Sequence, residues 1–397
     1  MHNVRIGDVV QFQRGVSWSA DQEHREPGPG RVPVLRIPNV QENLTTNDLV
    51  YLSGIADSVR ERTAASKGWI LAVGSNGNPD RIGNAVIIED ESDFLFASFL
   101  VGIKCDSRQV LGRYLLRLLH SDEIRSHLRV AMRGSTGLQN INLPALGDFR
   151  VKLPSLPVQR RIVEMLDAVD AQIGVARALL SKRQQQADGL LDGLVSNISD
   201  AQIKPLSELC VADICYGIVQ SGEFVAGGVP VLSIRDISGD FETDLHRTHP
   251  AIDARYRRSR VISGDVLLSI KGTIGRVGVA PTHFVGNVSR ELARLRFGNQ
   301  VLPEFARLYF LSREAQRRLD LAVVGTTRAE VSIHVLKRFS FPVPSLARQE
   351  HVIKVYRSIE RQVLSERQCL AKLLTMRSGL REDLVTGRVR IPAEAAS

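Results

Sequence analysis

From Pro154 to Val195 the chain repeats itself, without a gap, as Pro344 to Val385, and this duplication restricts the fold more than any other feature. Pro154-Ser155-Leu156 recurs as Pro344-Ser345-Leu346, a shift of 190 residues. The same shift pairs Gln159 with Gln349, Gln172 with Gln362, Arg177 with Arg367, Lys182 with Lys372, Gly189 with Gly379 and Leu194-Val195 with Leu384-Val385. Chance does not hold a register over such a length, so the chain contains one structural unit twice.

Both copies read as long helices. Apolar residues in the first fall at Ile162, Leu166, Val169, Ile173, Ala176, Leu180, Ala187, Leu190 and Leu194. Most of their steps are of four and three residues, the heptad signature of a coiled-coil seam. Val352, Tyr356, Ile359, Val363, Leu370, Leu373, Leu380 and Leu384 give the second seam. Each copy follows a proline-containing lead and has no proline further in, as suits a helix entrance. Arg183, Glu366 and Arg377 interrupt the seams. Such residues either fix register and partner or mark places where the helices splay. Two similar helices in one chain suit antiparallel pairing, and a helix of about forty residues spans ~60 Å.

The segments before the helices repeat more loosely. Val32-Pro33-Val34-Leu35 matches Val229-Pro230-Val231-Leu232, Arg81-Ile82-Gly83 aligns with Arg276-Val277-Gly278, and Gly134-Ser135-Thr136 with Gly325-Thr326-Thr327. The shift drifts, so loop lengths differ on a common fold. Short β-branched runs at Val32–Ile37, Ala85–Ile88, Val229–Ile234 and Val266–Ile270 predict strands, and Leu111–Arg129 and Pro303–Leu319 predict amphipathic helices. The expected architecture is α+β: two pseudo-repeated α/β domains, 1–152 and 204–342, separated by two long helices, 153–197 and 343–391, that form an antiparallel coiled coil. Residues 198–203 form a linker and 392–397 a tail.

Composition narrows the partner. Lys and Arg total 52 against 43 Asp and Glu, a formal net charge of +9, and Arg far outnumbers Lys. A basic balance favours a polyanion, since cations that neutralise phosphates release condensed counterions. Aromatic residues are 5% of the chain, which points to duplex DNA rather than stacked single strands. Cys105, Cys210, Cys215 and Cys369 form no CxxC pair and no zinc spacing, which fits a reduced, cytoplasmic compartment. No signal pattern opens the chain, and no apolar run reaches the ~18 residues of a membrane span.

Motifs for catalysis are missing from the sequence. It contains no GxxxxGK[ST] and no GxGxxG after a strand. Asn78-Pro79-Asp80 lacks the second proline and the aromatic that would stack on a flipped base. Glu89 and Glu91 follow it with no lysine to complete a nuclease cluster, and His246 and His249 read as solvated loop histidines. No metal site and no catalytic residue is expected.

Candidate DNA-reading loops carry more information. Ser75, Asn76, Asn78 and Arg81 form one in the first domain; Arg133, Ser135, Thr136, Gln139 and Asn140 form another. Lys271, Thr273 and Arg276, with Thr326, Thr327, Arg328 and Glu330, stand at the corresponding places in the second. Asn and Gln make bidentate contacts to adenine and Arg to guanine O6 and N7, while Lys271 and Arg276 also suit phosphates, which carry no sequence information.

The order of two diverged α/β domains, each followed by a near-identical helix, resembles the specificity subunits of Type I restriction-modification systems. The most specific phrases are Leu153-Pro154-Ser155-Leu156-Pro157-Val158-Gln159 and Phe341-Pro342-Val343-Pro344-Ser345-Leu346, followed by Gln349, with Lys271-Gly272-Thr273-Ile274-Gly275-Arg276-Val277-Gly278 beside them. That family usually has an acidic residue before the glutamine, where Val158 and Arg348 stand here. The resemblance implies a non-catalytic subunit with two target-recognition domains, each reading half of a bipartite duplex DNA site. It implies helices that set the gap and dock two modification subunits, which bring S-adenosylmethionine and methylate adenine. Separate restriction subunits would carry ATP, Mg and cleavage. The rival readings are a pseudo-symmetric DNA-binding protein without a methylase and a stand-alone methyltransferase or nuclease.

Overall fold

Each long helix begins where a proline-rich lead leaves a strand. The strand Arg150–Leu153 runs into a helix over Leu156–Ser196, and Ser340–Val343 runs into one over Leu346–Val385. In the computed structural model, residues 2–391 are described except 136, 197, 199–200, 239–240, 242–243 and 325–328. Two compact units emerge: Met1–Val175 with Leu370–Ser397, and Ala176–Cys369. Both long helices are thus divided between the units in mid-helix.

Within the first unit, Val158, Ile162 and Leu166 of the first helix share a core with Leu380, Leu384 and Val385 of the second. Asp170 pairs with Arg377 at 3.3 Å. Rising numbers in one helix meet falling numbers in the other, so the pair is antiparallel. The second unit repeats this with Ala187, Leu191 and Val195 against Val352, Ile353 and Tyr356, and Arg367 Nη2 donates to Gln184 Oε1 at 3.2 Å.

The buried stripe is wider than a two-residue seam. Ile162, Leu166, Val169, Ile173, Val352, Tyr356, Val363 and Leu384 are buried. Leu180, Leu194, Ile359 and Leu380 are partly buried against the cores, and Leu370 and Leu373 are half-buried. Leu190 corrects the expected seam: it is exposed at 36%, while Leu191 next to it is 2% exposed. Each helix packs on a domain as well as on its partner, and that needs a broad apolar face rather than a coiled-coil line.

The globular parts share the core of two sheets. In the first unit a four-stranded antiparallel sheet has the order Val10–Arg14, Leu100–Cys105, Ile70–Val73, Ala85–Ile87. In the second the order is Cys215–Tyr216, Leu292–Leu295, Val266–Ser269, Val277–Val279. A second sheet accompanies each: Val32–Leu35 lies between Val50–Leu52 and Leu95–Phe96, and Val229–Leu232 lies between His246–Thr248 and Asn287–Val288. In both sheets the first neighbour is antiparallel and the second parallel.

The two amphipathic helices expected as single rods are each broken. Gly112–Leu119 is followed by Asp122–Ala131, and Pro303–Leu311 by Arg313–Leu321. Ser121 and Ser312 cause the break, each accepting a bond from the backbone N–H three residues on, as a helix N-cap does. A carboxylate on a long helix then takes the next free donor. Glu382 accepts from the Asp122 N–H at 3.0 Å, and Asp192 accepts from the Arg313 N–H at 2.8 Å. Glu382 and Asp192 are themselves related by the 190-residue shift.

Gln159 and Gln349 fix where each long helix leaves its domain. Both are fully buried. Gln159 Nε2 donates to the carbonyls of Gln109 and Pro154, and its Oε1 accepts from the Leu111 N–H, all within 3.0 Å. Gln349 makes the same three bonds to Gln300, Pro344 and Leu302. One amide therefore satisfies three backbone groups where two helices begin, and a buried backbone group left unpaired costs about 1–3 kcal/mol.

Candidate nucleic-acid interface

In the first unit the two candidate loops are neighbours. Leu138–Asn140 pairs with Arg133–Ser135 on one side and with Ser75–Asn76 on the other, in a three-stranded sheet. Gln139 lies opposite Asn76, and Asn140 opposite Ser75. Asn140 is exposed and Gln139 half-buried. Asn76 Oδ1 accepts from the Asn78 N–H at 2.8 Å, and Asn78 Oδ1 from the Asp80 N–H at 3.0 Å. These local bonds hold the loop and leave the amide –NH2 groups of Asn76 and Asn78 as its donors. Arg81 is exposed at the end of this turn.

Ser75 does not face outward as a base-reading group. It is 6% exposed, and its hydroxyl donates to the Gln139 carbonyl at 3.3 Å, tying the two loops together. Leu138 and Phe99 add apolar surface that the polar pattern of the loops did not announce, at 44% and 49% exposure. The Phe99 carbonyl accepts from the Gly74 and Ser75 N–H groups, which puts it at the root of the same sheet. Arg133 and Ser135 lie on the outer strand of the sheet, and Thr136 lies outside the described residues.

The second unit builds a shorter version. Glu330 bridges both Lys271 and Val324 in antiparallel fashion, and the Gly272 N–H donates to the Ala329 carbonyl at 3.3 Å. Lys271 Nζ sits 3.0 Å from Glu330 Oε1 and 5.3 Å from the centre of the Tyr216 ring. Thr273 and Arg276 are exposed, and the turn between them is pinned by Ser269 Oγ, which donates to the Thr273 carbonyl and accepts from the Arg276 N–H. Thr326, Thr327 and Arg328 lie outside the described residues. Tyr216, 36% exposed beneath Lys271, carried no signal in the sequence beyond being aromatic.

One expected equivalence fails. The sequence aligns Arg81 with Arg276, but strand pairing sets Ala85 against Ala72 and Val277 against Leu268. Asn84, whose carbonyl accepts from the Val73 N–H, is therefore the counterpart of Arg276, whose carbonyl accepts from the Ser269 N–H. Gly83 and Gly275 precede them with φ of 79° and 86°. The turn needs that left-handed glycine, so the glycine rather than the arginine marks the true register.

Elsewhere the expected inert groups have structural work. His249 Nδ1 accepts from the Ala251 N–H and caps a short helix, while His246 lies in the strand His246–Thr248, edge-on to Phe224. His249 is exposed outside any strand or helix body, as expected, whereas His246 is half-buried in its strand. Burial pushes the Cys105 thiol up to about 11 and Cys210 up to about 12, so both stay protonated at neutral pH. Among the described residues no group of three His, Cys, Asp or Glu is placed to hold a metal ion.

A duplicated α+β fold thus carries a polar edge at the matched place in each copy. The family model described as Type I restriction modification DNA specificity domain matches residues 1–182 and 199–374. The chain belongs to that family. It is 28% identical over 257 residues to the Type I restriction enzyme EcoBI specificity subunit of Escherichia coli, a match covering 56% of this chain and 54% of that one. The chain thus spans about half the length of that relative. It is 20% identical over 377 residues to the putative MjaX specificity subunit of Methanocaldococcus jannaschii, covering 90% and 87% of the two chains. A solved structure from work on complex assembly and conformational transition of the type I R-M system superposes with a TM-score of 0.61 at 18% identity, over 98% of each chain. The Type-I restriction-modification S subunit from M. genitalium gives 0.51 at 13% identity, over 98% of this chain and 96% of that one. No helix among the described residues is long and apolar enough to cross a membrane.

Proposed function

We propose that this chain is the DNA-reading, non-catalytic subunit of a cytoplasmic Type I restriction-modification complex. Each unit reads one half of a bipartite duplex target, and the paired long helices set the gap and dock two modification subunits. Those subunits supply S-adenosylmethionine and adenine methylation, and restriction subunits supply ATP-driven, Mg-dependent cleavage. The observation that carries this reading is the same edge built twice with different side chains. Gln139 and Asn140 lie opposite Asn76 and Ser75 in one unit, and Glu330 lies opposite Lys271, which stands in the place of Ser75, in the other. Amides suit adenine, whereas a lysine suits guanine and a carboxylate suits the cytosine amino group. A common scaffold with unlike readers is what a target of two unlike halves requires.

The test is an exchange. Residues 204–341 are replaced by the matching segment of another family member, and the DNA sequence methylated with the modification subunit is read by methylome sequencing. One half of the target should change and the other stay. Changes in both halves, or in neither, would defeat independent reading.

A further inference from the structure

The second unit carries a groove at a place that the first unit spans with ion pairs. It has a volume of about 830 Å³ and lies between the turn at Ser263–Gly264, the segment Val279–Thr282 and one face of the helix Leu346–Val385. Val279, Pro281, Leu302 and Ile353 give it an apolar floor. Lys354, Arg357 and Arg361, spaced by three and four residues and so on one helix face, give it a basic wall. All three are exposed, and no carboxylate pairs with them among the described residues. Of the two acidic groups lining the groove, Glu304 is held by Arg307 at 2.6 Å, which leaves Glu350 against three cations.

At the matched place in the first unit the charges are reversed and satisfied internally. Arg113 reaches Glu89 at 2.8 Å and Asp167 at 2.8 Å, tying strand end, domain helix and long helix together. Strand register and the 190-residue shift set Pro281, Glu304 and Arg357 in those three places in the second unit. No cross-link is possible there, and the groove stays open with its cations unpaired.

The geometry points to a docking site for an acidic segment of a protein partner, with an apolar side chain seated on the floor and carboxylates on Lys354, Arg357 and Arg361. On the reading above, that partner is a modification subunit, and the two halves of the chain offer it unlike surfaces. Duplex DNA fits less well. Gly264 and Lys271 flank opposite ends of the strand Val266–Ser269, so roughly 13 Å of strand separates the groove from the candidate base-reading edge. An apolar floor also gives nothing to a phosphate backbone.

The full-length chain, as wild type, Lys354→Glu/Arg357→Glu and Lys354→Gln/Arg357→Gln, is titrated with the modification subunit of its own system and, separately, with its duplex target. We expect the charge reversal to weaken subunit binding at least tenfold, the neutral pair to weaken it less, and DNA affinity to change under twofold. Glu164→Lys, at the matched place on the first long helix, should change neither. A photo-crosslinking residue at position 282 should label a partner segment rich in Asp and Glu. Unchanged subunit affinity in the reversed variant overturns the proposal, as does loss of DNA affinity alone or a crosslink to a segment without carboxylates. A wild-type chain that binds neither subunit nor duplex DNA defeats the specificity-subunit reading instead.

Discussion

The two units receive a long-helix end at the same place but by opposite chemistry. In the second unit the positions are Ala187 and Leu191, buried at 1% and 2% exposure beside Leu319 and Tyr309. In the first the 190-residue counterparts are Arg377 and Arg381. Arg377 pairs with Asp170 and Glu42 at 3.3 and 3.5 Å, and Arg381 lies 3.8 Å from Asp122. The charges of Arg125, Arg381, Arg117 and Arg377 act on His120. The features that frame the contact are shared: the buried glutamines, the serine caps with their carboxylates, the Leu-Val pairs at Leu194-Val195 and Leu384-Val385, and the matched carboxylates Asp170 and Glu360, each held by an arginine of the domain helix, Arg117 in one unit and Arg307, one place earlier in register, in the other. The fold therefore resides in the frame, and what fills it is free to be grease or salt. Such freedom is expected where a duplicated element keeps its geometry under selection while each copy adapts to its own domain.

Placing the charged filling in the greasy unit should break this arrangement most severely. Leu191→Arg would bury an unpaired guanidinium in a core with no carboxylate at the position that Asp122 holds in the first unit, where Arg313 stands instead. We expect a loss of about 4 kcal/mol in the second unit. Urea titration followed by amide exchange, with Leu308 and Tyr309 as reporters, measures it locally. A loss under ~1 kcal/mol would mean the site opens to water easily and that its apolar character is incidental.

Much of this was legible in the sequence, and the boundary has a physical form. The ungapped repeat announced both long helices, and β-branched runs announced the central strands, because these signals are local and periodic. The break at Ser121 was passed over, since an amphipathic pattern runs through it, and Glu382, which takes the Asp122 N–H there, lies far along the chain. Leu190 and Leu191 were exchanged because heptad spacing knows only the partner helix, not the domain beneath. The candidate base readers included Asn76, Gln139, Lys271 and Glu330, and strand pairing sets Asn76 opposite Gln139 and Lys271 opposite Glu330. Residue type could not separate Ser75, whose hydroxyl is spent inside the sheet, nor find Tyr216, which matters through its place under Lys271.

A smaller effect should appear with pH and only in the first unit. Burial first, and then the four surrounding arginines, lower the His120 pKa from 6.5 to about 4. The unfolded chain therefore accepts a proton at a pH where the folded chain refuses it. Stability from this group is complete above pH ~6.5 and is lost as pH falls towards ~4, by about 1–3 kcal/mol. The counterpart in the second unit is Leu311, which does not titrate. His120→Leu should flatten this part of the pH profile of the first unit, read as the difference from wild type so that other carboxylates cancel. An unchanged profile would place the imidazole in contact with solvent.

The smallest change is the reverse substitution, and its smallness is the informative part. Arg381→Leu gives the first unit the residue that the second unit uses. Removing Arg381 forfeits an ion pair at 3.8 Å with an Asp122 carboxylate that is 75% exposed, an attraction worth ~1 kcal/mol or less and screened by salt. Against this, desolvation and the neighbouring Arg377 and Arg117 already lower the Arg381 pKa, so its charge is held at a cost. A leucine of similar reach relieves that repulsion and covers apolar surface beside Leu384 and Val385, which are 1% and 2% exposed. The two contributions nearly cancel, and the net change should lie within ~1 kcal/mol of zero, moving towards stabilisation at low salt. His120 should also titrate higher, since one of its four cationic neighbours is gone. A loss above ~2 kcal/mol would show instead that the guanidinium is a required strut, and that the charged filling of this frame is not interchangeable with the apolar one.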